Sequence, residues 1–287
     1  MKALAQLLRI RQWVKNGFVL APVFFGAELL NRDRLIHAAA AFLFFCLAAG
    51  MVYIINDWQD IEADRAHAEK RNRPLASGAI SGRGAFIVLA TLVALAIALM
   101  LIVPLPRDFF IVVAIYLAIN LAYSLGLKQV ALLELFLVAS GFVLRLLAGA
   151  LAIEIRLTQW ILIATAMIAF VLTVGKRRDD LAQEYDAGHH RKSLAHYSIG
   201  YLDLVLAALT GGTLVVYLLF CASDYAIDRF GPLVLVTALP VAFGLLRYLQ
   251  LVTVRGKGAS PTDLVLEDRG LIATVGIFIA MFAALIY

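Results

Sequence analysis

Apolar runs separated by short charged clusters fill this sequence from end to end. A membrane-spanning helix needs about 20 mostly apolar residues. The runs at 17–30, 36–56, 84–103, 109–125, 131–153, 158–175, 200–221, 232–250 and 270–287 predict nine such helices, the first of them short. The two largest polar stretches, 57–83 and 176–199, each follow an even-numbered run and mix acidic with basic residues. That repetition hints at two related halves. Gly and Pro fall at run ends, as Pro104 and Pro106 do, and no linker breaks the chain, so residues 1–287 read as one transmembrane domain. Ahead of the first run, Leu4, Leu7, Leu8 and Trp13 recur at helical spacing beside Arg9, Arg11 and Lys15, which predicts a helix over 3–15 lying at the membrane interface.

Composition strengthens this picture. The 287 residues are 63% hydrophobic and 16% charged, against about a quarter charged in soluble domains, and the mean hydropathy is +0.89. An all-α integral membrane protein follows. A net charge of +5 and a pI near 9.3 would also suit a nucleic-acid binder, so the placement of the charges decides. Lys and Arg concentrate at the N-terminus and after the second, fourth, sixth and eighth runs, while the opposite connections hold Arg32, Arg34, Arg107, Arg156 and Arg229. Cytoplasmic loops concentrate Lys and Arg, which places the N-terminus in the cytoplasm and the C-terminus outside, with a lipid bilayer rather than nucleic acid as the partner. No small-x-small cleavage site follows Phe18 to Leu30, so the first run reads as a retained span. Cys46 and Cys221 sit in apolar runs without metal-ligand spacing and read as packing residues.

The chemistry begins where the second run ends, in Asn56-Asp57-x-x-Asp60-x-x-x-Asp64. If the helix continues, the three carboxylates share one face, and like charges so close repel unless a cation sits among them. Magnesium suits the place, because it takes oxygen ligands and is usually held by one or two carboxylates together with substrate phosphates. Lys70, Arg71 and Arg73, followed by Pro74 and Gly78, form a mobile basic loop able to close over an anion bridged by that metal, Arg being a fork for phosphate. The same cations also satisfy the ordinary charge bias of cytoplasmic loops.

This motif, with Lys70-Arg71-x-Arg73-Pro74 after it, resembles the first signature of the UbiA prenyltransferase superfamily. The nine runs and the polar loops after the second and sixth are similar to that family as well. The resemblance implies a helical bundle with a central cavity open to the cytoplasm and lipid, in the inner (plasma) membrane of a bacterial-type cell. There magnesium, held by Asn56, Asp57, Asp60 and Asp64, assists diphosphate departure, with Lys70 and Arg73 acting beside it.

Aromatic prenyltransferases of the superfamily carry a second Asp-x-x-x-Asp motif after span 6. Here the nearest equivalent is Asp180-x-x-x-Glu184, preceded by Lys176, Arg177 and Arg178. The segments Arg11-Gln12-Trp13-Val14-Lys15-Asn16, Leu121-Ala122-Tyr123-Ser124-Leu125-Gly126-Leu127-Lys128, Ser140-Gly141-Phe142-Val143-Leu144-Arg145, Gly175-Lys176-Arg177-Arg178, Arg191-Lys192-Ser193-Leu194 and Glu267-Asp268-Arg269 look most like the decaprenyl-phosphate phosphoribosyltransferase branch. That branch implies phosphoribosyl diphosphate and a polyprenyl phosphate as substrates, in cell-envelope biosynthesis. Lys70, Arg71 and Arg73 would hold the leaving diphosphate, and Lys176, Arg177 and Arg178 either the ribose 5-phosphate or the lipid phosphate.

Arg145 lies inside a span, where a charge costs about 2.5 to 3.5 kcal/mol on insertion scales, so it faces the protein interior or an anionic ligand. Lys15, Asn16, Tyr123 and Lys128 are further candidates for contact with substrate. Asp268-Arg269 reads as a helix cap or a cavity gate, and the adjacent His189 and His190 as loop residues. Two other functions compete. One is a prenyltransferase joining a prenyl diphosphate to an aromatic acceptor, for which two magnesium sites would speak. The other is a secondary transporter, which would place ionisable residues near mid-membrane, whereas here nearly all carboxylates lie at run ends or in loops.

Overall fold

The computed structural model describes residues 2–66, 70–187, 193–254 and 261–287, with the side chains of 183–187, 261 and 262 outside the description. His189, His190, Arg191 and Lys192 therefore lie outside the described residues, as does the side chain of Glu184. All regular structure among the described residues is helical. The α-helices are α1 (Lys2–Leu7), α2 (Ala21–Phe25), α3 (Arg32–Gln59), α4 (Ile61–Ala66), α5 (Gly82–Ile102), α6 (Arg107–Leu125), α7 (Leu133–Ala152), α8 (Gln159–Ala187), α9 (Ile199–Cys221), α10 (Asp224–Phe230), α11 (Ala238–Thr253), α12 (Pro261–Glu267) and α13 (Arg269–Ile286). Helix starts follow local chemistry. Asn31, Ser81, Ser198, Ser223 and Asp268 each stand just before a helix and accept a hydrogen bond from a first-turn amide, satisfying donors that have no intrahelical partner.

Eight helices among the described residues are long and apolar enough to cross a membrane. The expected helix over 17–30 is not one of them. A ten-residue 3-10 helix, Ile10–Val19, leads into the five residues of α2, and this segment runs antiparallel to α3. Arg9 meets Asp57 at one end, Asn16 meets Cys46, Val23 packs with Ala38, and Glu28 pairs with Arg34 at the other end. At about 2.0 Å per residue in a 3-10 helix and about 1.5 Å in an α-helix, these fifteen residues climb roughly 28 Å, close to the roughly 30 Å apolar thickness of a bilayer. The expected interfacial helix over 3–15 is likewise shorter: α1 ends at Leu7, which is buried beside Ile54, and Arg9 takes a left-handed conformation (φ 47°, ψ 50°) where the 3-10 helix begins.

The chain forms two compact units, residues 1–125 with 144–156 and residues 126–143 with 157–287. In the first, α3 is the axis. Ala38, Ala41, Ala48 and Ala49 are buried along it, and such small residues let neighbouring helices approach closely. Phe45 packs with Phe109 and Tyr116 of α6, and with Ala148 and Ala152 at the end of α7. Gly149 is required there, because a Cβ at that position would stand 2.0 Å from the Val19 carbonyl oxygen.

In the second unit, α8 packs on α9, and α11 on α9 and α13. Val171 and Val174 of α8, Leu202 and Leu206 of α9, and Tyr248 and Leu251 of α11 share its core with Leu271 of α13. Cys46 and Cys221 are free and buried, as expected of packing residues.

Candidate functional site

α3 ends at Gln59 and the chain resumes as α4 after one turn residue, Asp60. The amides of Asp60 and Asp64 still reach the carbonyls of Asn56 and Asp60, at 3.0 and 2.8 Å. This nearly continuous helical path keeps Asp57 and Asp64, two turns apart, on one face. They are only 2% and 3% exposed.

Arg73 Nη1 donates to Asp64 Oδ2 at 2.8 Å and to Asp57 Oδ1 at 3.2 Å. One cationic nitrogen thus stands within reach of both carboxylates. Among the described residues no three His, Cys, Asp or Glu side chains converge as a closed metal site. A pair of carboxylates suits magnesium, which is usually held by one or two of them together with waters and substrate phosphates. Asn56, Asp57 and Asp64 could hold it, with Asp60 half-buried at the turn between α3 and α4.

The basic stretch from Lys70 to Ile80 is tied down by packing and hydrogen bonds. Leu75 is buried with Leu7 and Ile54, Arg65 Nε donates to the Ala76 carbonyl at 3.2 Å, and the Ile80 amide reaches the Pro74 carbonyl at 2.9 Å. Burial of Leu75 fixes Arg73 above the carboxylates, whereas Lys70 and Arg71 are exposed. Ser124 of α6 contacts the Asn56 carboxamide, which orients it and gives a physical role to the Leu121–Lys128 segment. Tyr123 and Lys128 are half-buried.

Arg9 is the residue the sequence reading missed here. Its Nη2 donates to Asp57 Oδ1 at 2.5 Å, and its guanidinium lies 4.7 Å from the centre of the Tyr53 ring. A non-glycine residue in the left-handed region is held there only by its surroundings, and such strain clusters at functional sites.

Deeper in the same unit, Arg145 Nε donates to Asn16 Oδ1 at 2.7 Å and its Nη2 to the Tyr116 hydroxyl at 3.0 Å, with the guanidinium 4.8 Å from the Tyr116 ring centre. Asn16 Nδ2 in turn donates to Cys46 Sγ. The structure thereby joins two separately predicted residues, Asn16 and Arg145, into one buried network that ties α7 to the N-terminal 3-10 helix and α3. Lys15 is half-buried beside it in sequence.

In the second unit the side chains of Arg177 and Arg178 both bind protein groups. Arg177 is 3% exposed and pairs with the fully buried Glu134 of α7, and its Nη1 donates to Asp180 Oδ2 at 2.8 Å. Arg178 Nε donates to Asp203 Oδ1 at 3.0 Å and its Nη1 to the Val252 carbonyl at 2.9 Å, capping the last turn of α11. The reason is electrostatic: Glu134 and the end of α11 need cations inside an apolar unit. Lys176 is exposed. Asp268 caps α13 by accepting from the Leu271 amide at 3.1 Å and binds Arg247 at 2.7 and 3.2 Å. The Arg247 guanidinium holds its carboxyl down at about 2.

Comparison with known proteins gives the family and the fold. Residues 19–263 match the model of the UbiA prenyltransferase family. The chain is 36% identical over 269 residues to a decaprenyl-phosphate phosphoribosyltransferase of Corynebacterium glutamicum, covering 92% of this chain and 80% of that one. It is 36% identical over 299 residues to a protein of the same name from Mycolicibacterium smegmatis, covering 99% and 92%. A solved structure of a UbiA homolog from Archaeoglobus fulgidus bound to GPP and Mg2+ superposes with a TM-score of 0.72 over 99% of each chain, at 21% identity. The chain belongs to the UbiA prenyltransferase family, a multi-pass membrane transferase of all-α fold.

Proposed function

We propose that the protein moves the 5-phosphoribosyl group of phosphoribosyl diphosphate onto a polyprenyl phosphate. The observation that carries this reading is the 36% identity, sustained over nearly the whole chain, to proteins named decaprenyl-phosphate phosphoribosyltransferase. In the reaction the bond from ribose C1 to the diphosphate oxygen breaks, a lipid phosphate oxygen bonds to C1, and diphosphate leaves with the bonding pair. Both reactants are anions, so electrostatic stabilisation and positioning supply most of the rate gain.

Asp57 and Asp64, aided by Asn56 and Asp60, are the proposed ligands of magnesium, which when bound offsets charge on the departing diphosphate. Arg73 is already aimed at the same spot and turns to diphosphate oxygens, with Lys70 and Arg71 on the exposed side of the loop. Arg145 and Asn16 hold the 3-10 segment in register behind the site. Lys176 is the member of its triplet available to a substrate phosphate, Arg177 and Arg178 serving the framework of their own unit. In this proposal the 3-10 segment with α2 is a ninth crossing, the protein sits in a bacterial-type plasma membrane, and the N-terminus is cytoplasmic with the C-terminus outside.

Purified protein in detergent, given magnesium, a polyprenyl phosphate and radiolabelled phosphoribosyl diphosphate, is expected to carry label into the organic phase. Label that stays aqueous, while labelled prenyl diphosphate is joined to an aromatic acceptor, would reassign the protein to prenyl transfer.

A further inference from the structure

The contacts of Arg9 raise a question that the proposed reaction leaves open. Asp57 is 2% exposed, yet two guanidiniums, those of Arg9 and Arg73, converge on its Oδ1, and Arg73 also holds Asp64. The arginine side chains are 28% and 29% exposed. Both are more open to solvent than the carboxylates they bind. A divalent cation approaching Asp57 therefore meets two positive charges bound to the oxygens it needs. A guanidinium binds phosphate oxygens as readily as carboxylate oxygens, so an entering diphosphate offers both arginines an alternative partner and releases the carboxylates to the metal.

We infer that Arg9, with Arg73, is a latch that makes metal and diphosphate bind together: it competes with the metal for Asp57 and transfers to the diphosphate when that ligand arrives. The inference rests on the proposed magnesium-diphosphate site and adds its binding order and a residue outside the acidic motif. Arg9 is built for such exchange. Its left-handed backbone sets it at the corner between α1 and the 3-10 helix, and the Tyr53 ring stacks under the guanidinium without fixing which oxygen its hydrogens reach. Coupling of this kind is reciprocal: the factor by which diphosphate tightens metal binding equals the factor by which metal tightens diphosphate binding.

The test uses the full-length protein in detergent, with Mn2+ and inorganic pyrophosphate as probes and bound Mn2+ measured after ultrafiltration at matched free Mn2+. Unaltered protein is expected to bind Mn2+ at least about ten-fold more tightly with pyrophosphate than without it. Arg9→Gln removes a charge-assisted competitor and is expected to bind Mn2+ alone about ten-fold more tightly, with a correspondingly smaller gain from pyrophosphate. Arg9→Lys, a point charge without the fork, should fall between. Damage to the fold would weaken metal binding, so a gain separates the latch from a structural role. Equal Mn2+ affinity with and without pyrophosphate in unaltered protein, or no tightening in both Arg9 variants, overturns the latch and leaves the magnesium site standing. No Mn2+ binding under either condition removes the magnesium-diphosphate site and the latch together.

Discussion

Arg9 donates to Asp57 at 2.5 Å although the two residues are 48 positions apart in the chain. The contact joins the start of the N-terminal 3-10 helix to the end of α3, and so couples that segment to the acidic motif. Arg9 thus brings to the first carboxylate of that motif a cation from outside it.

Asp57→Asn and Asp64→Asn should each lower transfer at least about a hundred-fold, in the range seen when one group stabilising transition-state charge is lost. Chelation of magnesium should do the same to unaltered protein, with recovery on adding the metal back. Initial rates beside gel-filtration profiles make the check. Normal turnover in a well-folded Asp57→Asn protein removes the carboxylates from the mechanism.

Arg177→Ala should destabilise the protein by about 3 kcal/mol or more, because it leaves Glu134 charged and buried. Arg177→Lys should recover little, a point charge being a poor replacement for a fork that binds both Glu134 and Asp180. The paired change Glu134→Leu with Arg177→Met should restore most of the loss. Thermal unfolding in detergent reads all three. An unchanged unfolding midpoint in Arg177→Ala, with weaker substrate binding instead, would return Arg177 to the substrate.

Gly149→Ala should destabilise the first unit, since the new Cβ meets a backbone oxygen that cannot swing aside. Gly276→Ala is the contrast. That position in α13 has open space around it, and alanine there should stabilise by up to about 1 kcal/mol through helix propensity. Similar behaviour of the two variants in thermal unfolding would count against the close approach of the 3-10 helix to α7.

The Asp268 carboxyl is held at about 2 by Arg247. Because the folded value lies below the unfolded one, the pair contributes stability that is fully present above the ordinary carboxylate range and is lost as pH falls through about 2. Asp268→Asn should therefore lower the unfolding midpoint at neutral pH, and its gap from the unaltered protein should close in acid, below the ordinary carboxylate value. A gap that persists unchanged into strong acid would assign the effect to the helix cap alone.

Most of the fold was legible because lipid demands long apolar runs. The runs read at 84–103, 109–125 and 200–221 correspond to helices Gly82–Ile102, Arg107–Leu125 and Ile199–Cys221. The run at 17–30 was read as a short helix, and its start was misplaced for a physical reason: the element there begins at Ile10 as a 3-10 helix, whose period differs from that of an α-helix, so the apolar run sets in later than the structure does. The shared face of Asp57 and Asp64 was legible from spacing. Arg9 was not, because a cation near the N-terminus resembles any charge that sets topology, and only the fold brings it to Asp57. Arg177 and Arg178 were read as phosphate ligands; the structure gives both of them protein partners, and Glu134 in an apolar run was the signal for a buried cation there.

The central claim is the identity of the transferred group, and the most direct measurement is a mass spectrum of the lipid recovered after incubation with phosphoribosyl diphosphate and magnesium, taken alongside released pyrophosphate. The polyprenyl phosphate is expected to gain one phosphoribosyl group, with one pyrophosphate appearing for each lipid converted. Unmodified lipid, or pyrophosphate released without a matching lipid product, would contradict it.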